Sequence, residues 1–247
     1  MLRRFRADLH VHTCLSPCGD LRMSPLKITA QARKQGVELI AICDHNSAEN
    51  VPAVIKAAEA EGIAVLPGME ICTSEEIHLL AIFDDLDSVE QMQALVYRHL
   101  DGRNEPDVFG MQVIANELDE VIGFQDKLLI GATNLTVDHV VDEIHRLGGV
   151  AVASHIDRES YSVISQLGFI PETLRFDALE LSRYIRTEEA RKRFAGSRKW
   201  PFIRNSDAHF PDDIGLNTCE YLIEGPTLFE ISRALRGENG RMICETW

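Results

Sequence analysis

The chain has 247 residues, of which 45% are hydrophobic and 26% charged, and it carries a formal net charge of −14. These proportions fit a globular domain and exclude a disordered or membrane-embedded chain. The acidic balance argues against a broad basic surface, so long nucleic acid is not an expected partner. No apolar run approaches the ~18 residues of a spanning helix, and charged residues break up any signal-type core after Met1-Leu2-Arg3-Arg4. A soluble cytoplasmic protein is expected, with no membrane association.

In chain order, Phe5 to Val11 reads as a short strand. Side chains alternate along a strand, so His10 and His12 point the same way, about 7 Å apart at ~3.3 Å per residue. That arrangement suits two imidazoles on one metal ion. The loop 13–22 carries Cys14 and Cys18, spaced as a redox pair or as two reduced thiols near a site. Ser24-Pro25 opens a helix that stops at Gly36. Val37 to Cys43 is an apolar run of strand length, as in a strand covered on both faces, with Asp44-His45 at its end. A helix over 51–61 closes at Gly62. Strands then follow over 63–66, with Glu70 just beyond, and over 77–83, carrying His78.

Residues 84–147 are the least regular: a helix over 88–100, a polar loop, a hairpin or short strands over 111–118 and 121–124, and a helix over 136–147. The strand 150–153 delivers His155. Strands over 178–181, 201–204 and 221–223 follow, the second delivering Asp207 and His209, before a helix over 227–236. Strand–helix units with functional residues gathered at strand C-terminal ends describe an α/β fold of barrel type. One domain over 1–247 is expected, with 84–147 forming a lid, a small subdomain or one elaborated unit.

The run Asp8-Leu9-His10-Val11-His12-Thr13, then Cys43-Asp44-His45-Asn46, Pro67-Gly68-Met69-Glu70, Ile77-His78-Leu79-Leu80, Ser154-His155 and Ser206-Asp207-Ala208-His209 resembles, in order, the motifs of the PHP (polymerase and histidinol phosphatase) family. The resemblance implies a distorted (β/α)7 barrel with two or three divalent ions at the strand C-terminal ends, and phosphoester hydrolysis through a metal-activated water. It carries the ligand role to His10, His12, Asp20, His45, Glu70, His78, His155, Asp207 and His209. Within that set it implies His10, His12, Glu70 and Asp207 around one ion, Glu70 bridging to a second held by His78 and His155, and Asp20, His45 and His209 around a third. Glu70, Asp207 and His209 are the implied catalytic residues. Such mixed donors suit Zn²⁺, Mn²⁺ or Fe²⁺.

One departure is visible. The family's next ligand usually follows the H-x-H within five or six residues, whereas the first carboxylate here, Asp20, comes eight residues after His12. Asp20 is therefore expected either as a ligand on a longer loop or as a turn residue. Arg183, beyond a strand end, is the first choice for a phosphate contact and Arg158 the second, since guanidinium suits phosphate. Asp8 and Asp44 are expected either to orient metal-binding histidines or to bond strand-end backbone. His99, His139 and His145 fall in helices without ligand neighbours. The expected activity is hydrolysis of a small phosphorylated metabolite or nucleotide, as monoesterase or phosphodiesterase. The alternative is a catalytically silent module that keeps metal or binds a partner.

Overall fold

The structure is a computed structural model, and it describes residues 1–197 and 199–244; the last three residues of the span expected for the domain lie outside it. Eleven strands are present among the described residues. They are β1 (Arg3–Val11), β2 (Leu39–Ile42), β3 (Ala64–Cys72), β4 (His78–Ile82), β5 (Val113–Ala115), β6 (Val121–Phe124), β7 (Val150–Ala153), β8 (Ala178–Leu181), β9 (Phe202–Arg204), β10 (Cys219–Ile223) and β11 (Met242–Cys244). Nine of them form one sheet in the order β11-β10-β1-β2-β3-β4-β7-β8-β9, and β5 pairs separately with β6.

The sheet curls into a nearly closed barrel because β1 is long enough to serve two neighbours. Its first half, Arg3 to Ala7, pairs antiparallel with β10. Its far end meets the chain just beyond β9, where His12 N donates to Ala208 O at 3.0 Å and Ala208 N to His10 O at 3.3 Å. The α/β barrel-like fold is as expected, but its strands do not all run one way. Only five residues join β3 to β4, too few for a parallel crossover, which needs a dozen or more. β4 therefore runs antiparallel to both β3 and β7. His78 sits at the start of its strand, not at a C-terminal end, yet the register Cys72↔His78 sets it on the same rim as the ends of β3 and β7. β3 itself runs on to Cys72 through Pro67 and Gly68, where the sequence suggested a stop at Leu66.

A bulge in β1 decides which way its histidines face. Asp8 lies opposite Ile40 and Val11 opposite Ile42, three steps on β1 against two on β2. An extra residue reverses the alternation beyond it. Asp8 therefore shares a face with Ile40, which packs in the layer of helices, and His10 and His12 turn into the barrel. The interior below them is apolar: Phe5, Ala7, Leu9, Leu39, Ala41, Leu66, Leu80, Ile82, Val150 and Val152 fill it. The helix Leu228–Leu235 adds Leu228, Ile231 and Ala234 from one face, at i, i+3 and i+6. Outside the sheet, the helices Pro25–Lys34, Val51–Glu61, Leu86–His99 and Val137–Arg146 cover Ile40, Ile42, Met69, Ile71 and Leu79. Both faces are buried, which is why the strands read as near-continuous apolar runs.

The irregular segment is tied to the first loops. Asn46 donates to Leu129 O and Gly131 O, each at 2.8 Å, Thr133 N donates to Cys72 O at 2.9 Å, and Asn50 bonds Val113 and Ala115. No helix among the described residues is long and apolar enough to cross a membrane.

Candidate metal centre

Six imidazoles and two carboxylates converge at one rim of the barrel. Glu70, 1% exposed, is the hub. Its Oε1 lies 3.4 Å from His10 Nε2, 3.2 Å from His78 Nδ1 and 3.3 Å from His155 Nε2, and its Oε2 lies 3.5 Å from His12 Nε2 and 3.2 Å from His45 Nδ1. Asp207 Oδ1 lies 3.3 Å from His10 Nε2, 3.2 Å from His12 Nε2 and 3.5 Å from His209 Nδ1. Three sets have ligand atoms within 4.8 Å of one another: His10, His12, Glu70 and Asp207; His45, Glu70 and His78; and His12, His45 and His209.

The donor set fits divalent cations. Ligands at about 2.1 Å from a tetrahedral ion stand about 3.4 Å apart, which is the spacing between these nitrogens and oxygens. Hydrogen bonding does not account for the cluster on its own, since Glu70 Oε1, His78 Nδ1 and Asp207 Oδ1 are buried without a hydrogen-bond partner. Burial alone would raise both carboxyls. His78 and His10 beside Glu70, and His10 and His12 beside Asp207, outweigh it and hold both well below the usual carboxylate range.

Backbone strain accompanies the site. His155 and Asp207 have φ of 27° and 51°, and Asn46, next to His45, has φ of 50°. L-residues rarely adopt this region, and such positions concentrate at functional sites.

The expected ligands divide into two groups. His10, His12, His45, Glu70, His78, His155, Asp207 and His209 meet at the rim; Asp20 does not join them. Both Asp20 oxygens are engaged by Arg22, with Nε at 3.0 Å and a terminal nitrogen at 2.7 Å, and Arg22 N also donates to it at 2.8 Å. The longer loop leaves Cys18 exposed, near His209 and His45. Partial desolvation would raise its thiol, and the two imidazoles overcome that and hold it at about 6. The cysteines are free thiols, Cys14 being buried with its Sγ toward Val113 O.

Two expected supports take different forms. Asp8 touches no histidine, because the bulge turns it to the other face. It accepts from Ser206 N at 2.9 Å and Gly215 N at 3.0 Å, anchoring the loop that carries Asp207. Asp44 reaches His12 through an intermediary: Ser16 Oγ lies 2.9 Å from His12 Nδ1 and donates to Asp44 Oδ1 at 2.7 Å. Sequence reasoning missed Glu180. This carboxylate, 1% exposed on β8, lies 3.1 Å from His10 Nδ1 through both oxygens. It also accepts from Asn205 Nδ2 at 2.7 Å and His155 N at 2.9 Å. A glutamate inside the apolar run Ala178-Leu179-Glu180-Leu181, on the inward face with Ala178, was the available signal.

A cavity of about 270 Å³ opens over the cluster, lined by His45, His78, His155, His209 and both carboxylates with Ile130, Arg158, Ser160 and Tyr161. Arg158 reaches Asp207 Oδ2 at 2.6 Å, and Tyr161 stacks on His78 with ring centroids 4.6 Å apart. Arg183, the first choice for phosphate, does not line this cavity. It is paired with Asp213 and hydrogen-bonded to the Tyr184 hydroxyl, because the chain turns outward after Ser182. Of the remaining histidines, His99 bonds Asn134 and His145 bonds Asp177.

Known proteins resemble this chain in sequence and in fold. The profile of the PHP domain matches residues 8–168. A 5'-3' exoribonuclease of Haemophilus influenzae is 35% identical over 78 residues, 30% of this chain and 27% of that protein. The crystal structure of the lesion-specific endonuclease PfuEndoQ of Pyrococcus furiosus superposes with a TM-score of 0.73 at 19% identity, covering 98% of this chain and 58% of that one. A structure from Bifidobacterium adolescentis described as a metal-dependent phosphoesterase superposes with a TM-score of 0.60 at 22% identity, over 82% of this chain and 87% of that one. The chain thus spans about a quarter of the exoribonuclease and little over half of the endonuclease. One expectation is overturned. An Endonuclease Q structure that shares the fold, with a TM-score of 0.74, holds a 27-mer duplex with an abasic lesion at its active site. An acidic net charge therefore does not set long nucleic acid aside: total charge does not determine the local potential over a cationic site.

Proposed function

The chain belongs to the PHP domain family, and from that membership we propose that it is a metal-dependent phosphoesterase acting at the histidine-lined cavity. The observation that carries the reading is the convergence of six imidazoles on Glu70 and Asp207, with four of those rings, both carboxylates and Arg158 lining one small opening. His10, His12, Glu70 and Asp207 would hold one ion, Glu70 with His78 and His155 a second, and His45 and His209 with His12 a third. When bound, divalent ions supply Lewis acidity toward phosphoryl oxygens and make a water nucleophile more acidic.

The chain's own residues do the rest. Glu180 accepts the Nδ1 proton of His10, which leaves Nε2 as the donor atom facing the centre. Ser16 does the same for His12, backed by Asp44. Arg158 is the phosphate-binding arginine. The segment 84–147 acts as a fixed wall, pinned through Asn46 and Thr133, and it sends Ile130 into the cavity.

A cavity of this size takes a phosphate ester and little more, which suits a small phosphorylated metabolite or nucleotide. A second reading, a phosphodiester of nucleic acid, is favoured by Tyr161. Its ring lies at the mouth and is 40% exposed, and such a ring can stack on a base.

The test loads the protein with Mn²⁺, Zn²⁺ or Fe²⁺ and offers p-nitrophenyl phosphate, its bis-ester, and single- and double-stranded oligonucleotides. Turnover that chelation abolishes is the expected result, and the preferred ester identifies mono- or diesterase. Metal uptake without turnover of any ester would favour the silent module. In the same assay, Arg158→Ala is expected to lower kcat/KM about ten- to a hundredfold without loss of metal, as for a charged hydrogen bond of ~1.5–3 kcal/mol. Arg183→Ala, which breaks a pair outside the cavity, is expected to change it little.

A further inference from the structure

We propose that Ile130, held in place by Asn46, selects the substrate: a phosphate ester whose alcohol presents an apolar face beside the ester oxygen. The inference rests on the phosphoesterase reading above and narrows the esters that the same cavity takes.

Among the described residues that line the cavity, Ile130 is the one without a polar side-chain atom. The histidines, carboxylates and Arg158 offer ligands and charge, which suit metal ions and a phosphoryl group. Ile130 serves neither. Its side chain, 36% exposed, gains only by covering hydrocarbon, and the part of a bound ester that supplies hydrocarbon is the alcohol. A polyol such as glycerol or a sugar would lose water at that surface without a hydrogen bond in return.

The loop is built to keep Ile130 there. Leu129 is buried with Leu15 and Leu100, while its neighbour Ile130 lines the cavity. Leu129 N donates to Gln112 Oε1 and Gly131 N to Leu128 O, each at 3.0 Å. The carbonyls on either side of Ile130, those of Leu129 and Gly131, both accept from Asn46 Nδ2. At the other end of that side chain, Oδ1 accepts from Cys72 N at 3.1 Å, and Asn46 N donates to Glu70 O at 2.8 Å. One buried side chain thus ties Ile130 to the strand that carries Glu70.

The position calls for asparagine. Its φ of 50° lies in the left-handed region, which asparagine tolerates better than most L-residues. It also needs one acceptor and two donors on a short side chain, and the amide supplies all three. Aspartate would keep the acceptor and lose both donors; glycine would keep the backbone and lose the side chain. Asn46 is therefore a positioning residue that acts through Ile130.

The test uses the full chain loaded with Mn²⁺. It compares benzyl phosphate with glycerol 1-phosphate by kcat/KM, two alkyl esters with chemically similar leaving groups, and benzylphosphonate with methylphosphonate by calorimetric affinity. The wild type is expected to prefer the benzyl member of each pair. Ile130→Ala is expected to cut both preferences about tenfold, as for lost methylene groups in an apolar contact, and Ile130→Leu to retain most of them. Asn46→Gly and Asn46→Asp are expected to cut the preferences as Ile130→Ala does, at unchanged metal content, and to add nothing in an Ile130→Ala background. A merely structural Asn46 would lower both esters alike and add to Ile130→Ala, which overturns its positioning role. Ile130→Ala changes an exposed side chain and decides the first point even where an Asn46 variant does not fold. Preferences that survive Ile130→Ala, or a wild type that turns over both esters without preference, overturn the Ile130 assignment and leave the phosphoesterase reading standing. A wild type that turns over no ester and binds neither phosphonate overturns both.

Discussion

Glu70→Gln is expected to abolish most phosphoester turnover and most metal binding while leaving the fold intact. Glu70 is a single buried carboxylate with five histidine nitrogens within 3.5 Å. It is the one residue common to the His10–His12–Asp207 and His45–His78 sets. Glutamine keeps the shape but supplies no charge, and its amide NH₂ turns donor hydrogens toward sites where a cation belongs. Changing a residue that only supports a metal ligand typically costs 10–100-fold in affinity or activity. Loss of the shared ligand itself should cost at least about a hundredfold. Metal content by elemental analysis, turnover of p-nitrophenyl phosphate or its bis-ester, and circular dichroism together make the measurement. Full activity in a folded, metal-loaded Glu70→Gln protein would remove Glu70 from the centre. His145→Ala serves as the control and should be near neutral, because the His145 side chain bonds Asp177, away from the rim.

For Glu180→Gln the expected loss is about 10–100-fold in metal affinity or kcat/KM, from a residue outside all three candidate ligand sets. Glu180 accepts from Asn205 Nδ2, His155 N and His10 Nδ1 at once. A glutamine has one acceptor oxygen, so at least one buried donor would face an NH₂, at a cost of about 1–3 kcal/mol. Burial would raise the Glu180 carboxyl, and His10 outweighs it and keeps the group ionised. That charge in turn fixes the proton on His10 Nδ1. Titrating metal into both proteins under equal conditions gives the affinity ratio. An unchanged ratio together with unchanged kcat/KM would show that His10 is oriented without Glu180.

The sequence by itself determined where chemistry gathers. His10, His12, His45, Glu70, His78, His155, Asp207 and His209 stand at or near the ends of apolar runs, and a run buried on both faces leaves its polar residues only at its ends. Barrel closure then brings those ends together, so eight of the nine residues that the family resemblance singled out meet at one rim. What the chain could not reveal depended on an offset of one residue or on a partner far away in sequence. The bulge in β1 is one extra residue, invisible in the alternation of Asp8-Leu9-His10, yet it sends Asp8 to the Asp207 loop and His10 inward. The short turn 73–77 reversed β4 and put His78 at a strand start. Arg183 and Asp20 read as site residues until Asp213 and Arg22 claimed their charges. Glu180 carried no motif, and it acquired a role only when folding set it against a histidine from another part of the chain. Burial pattern is local and written along the chain; ion pairing and ligand contact are made across the barrel, so only the tertiary structure decides them.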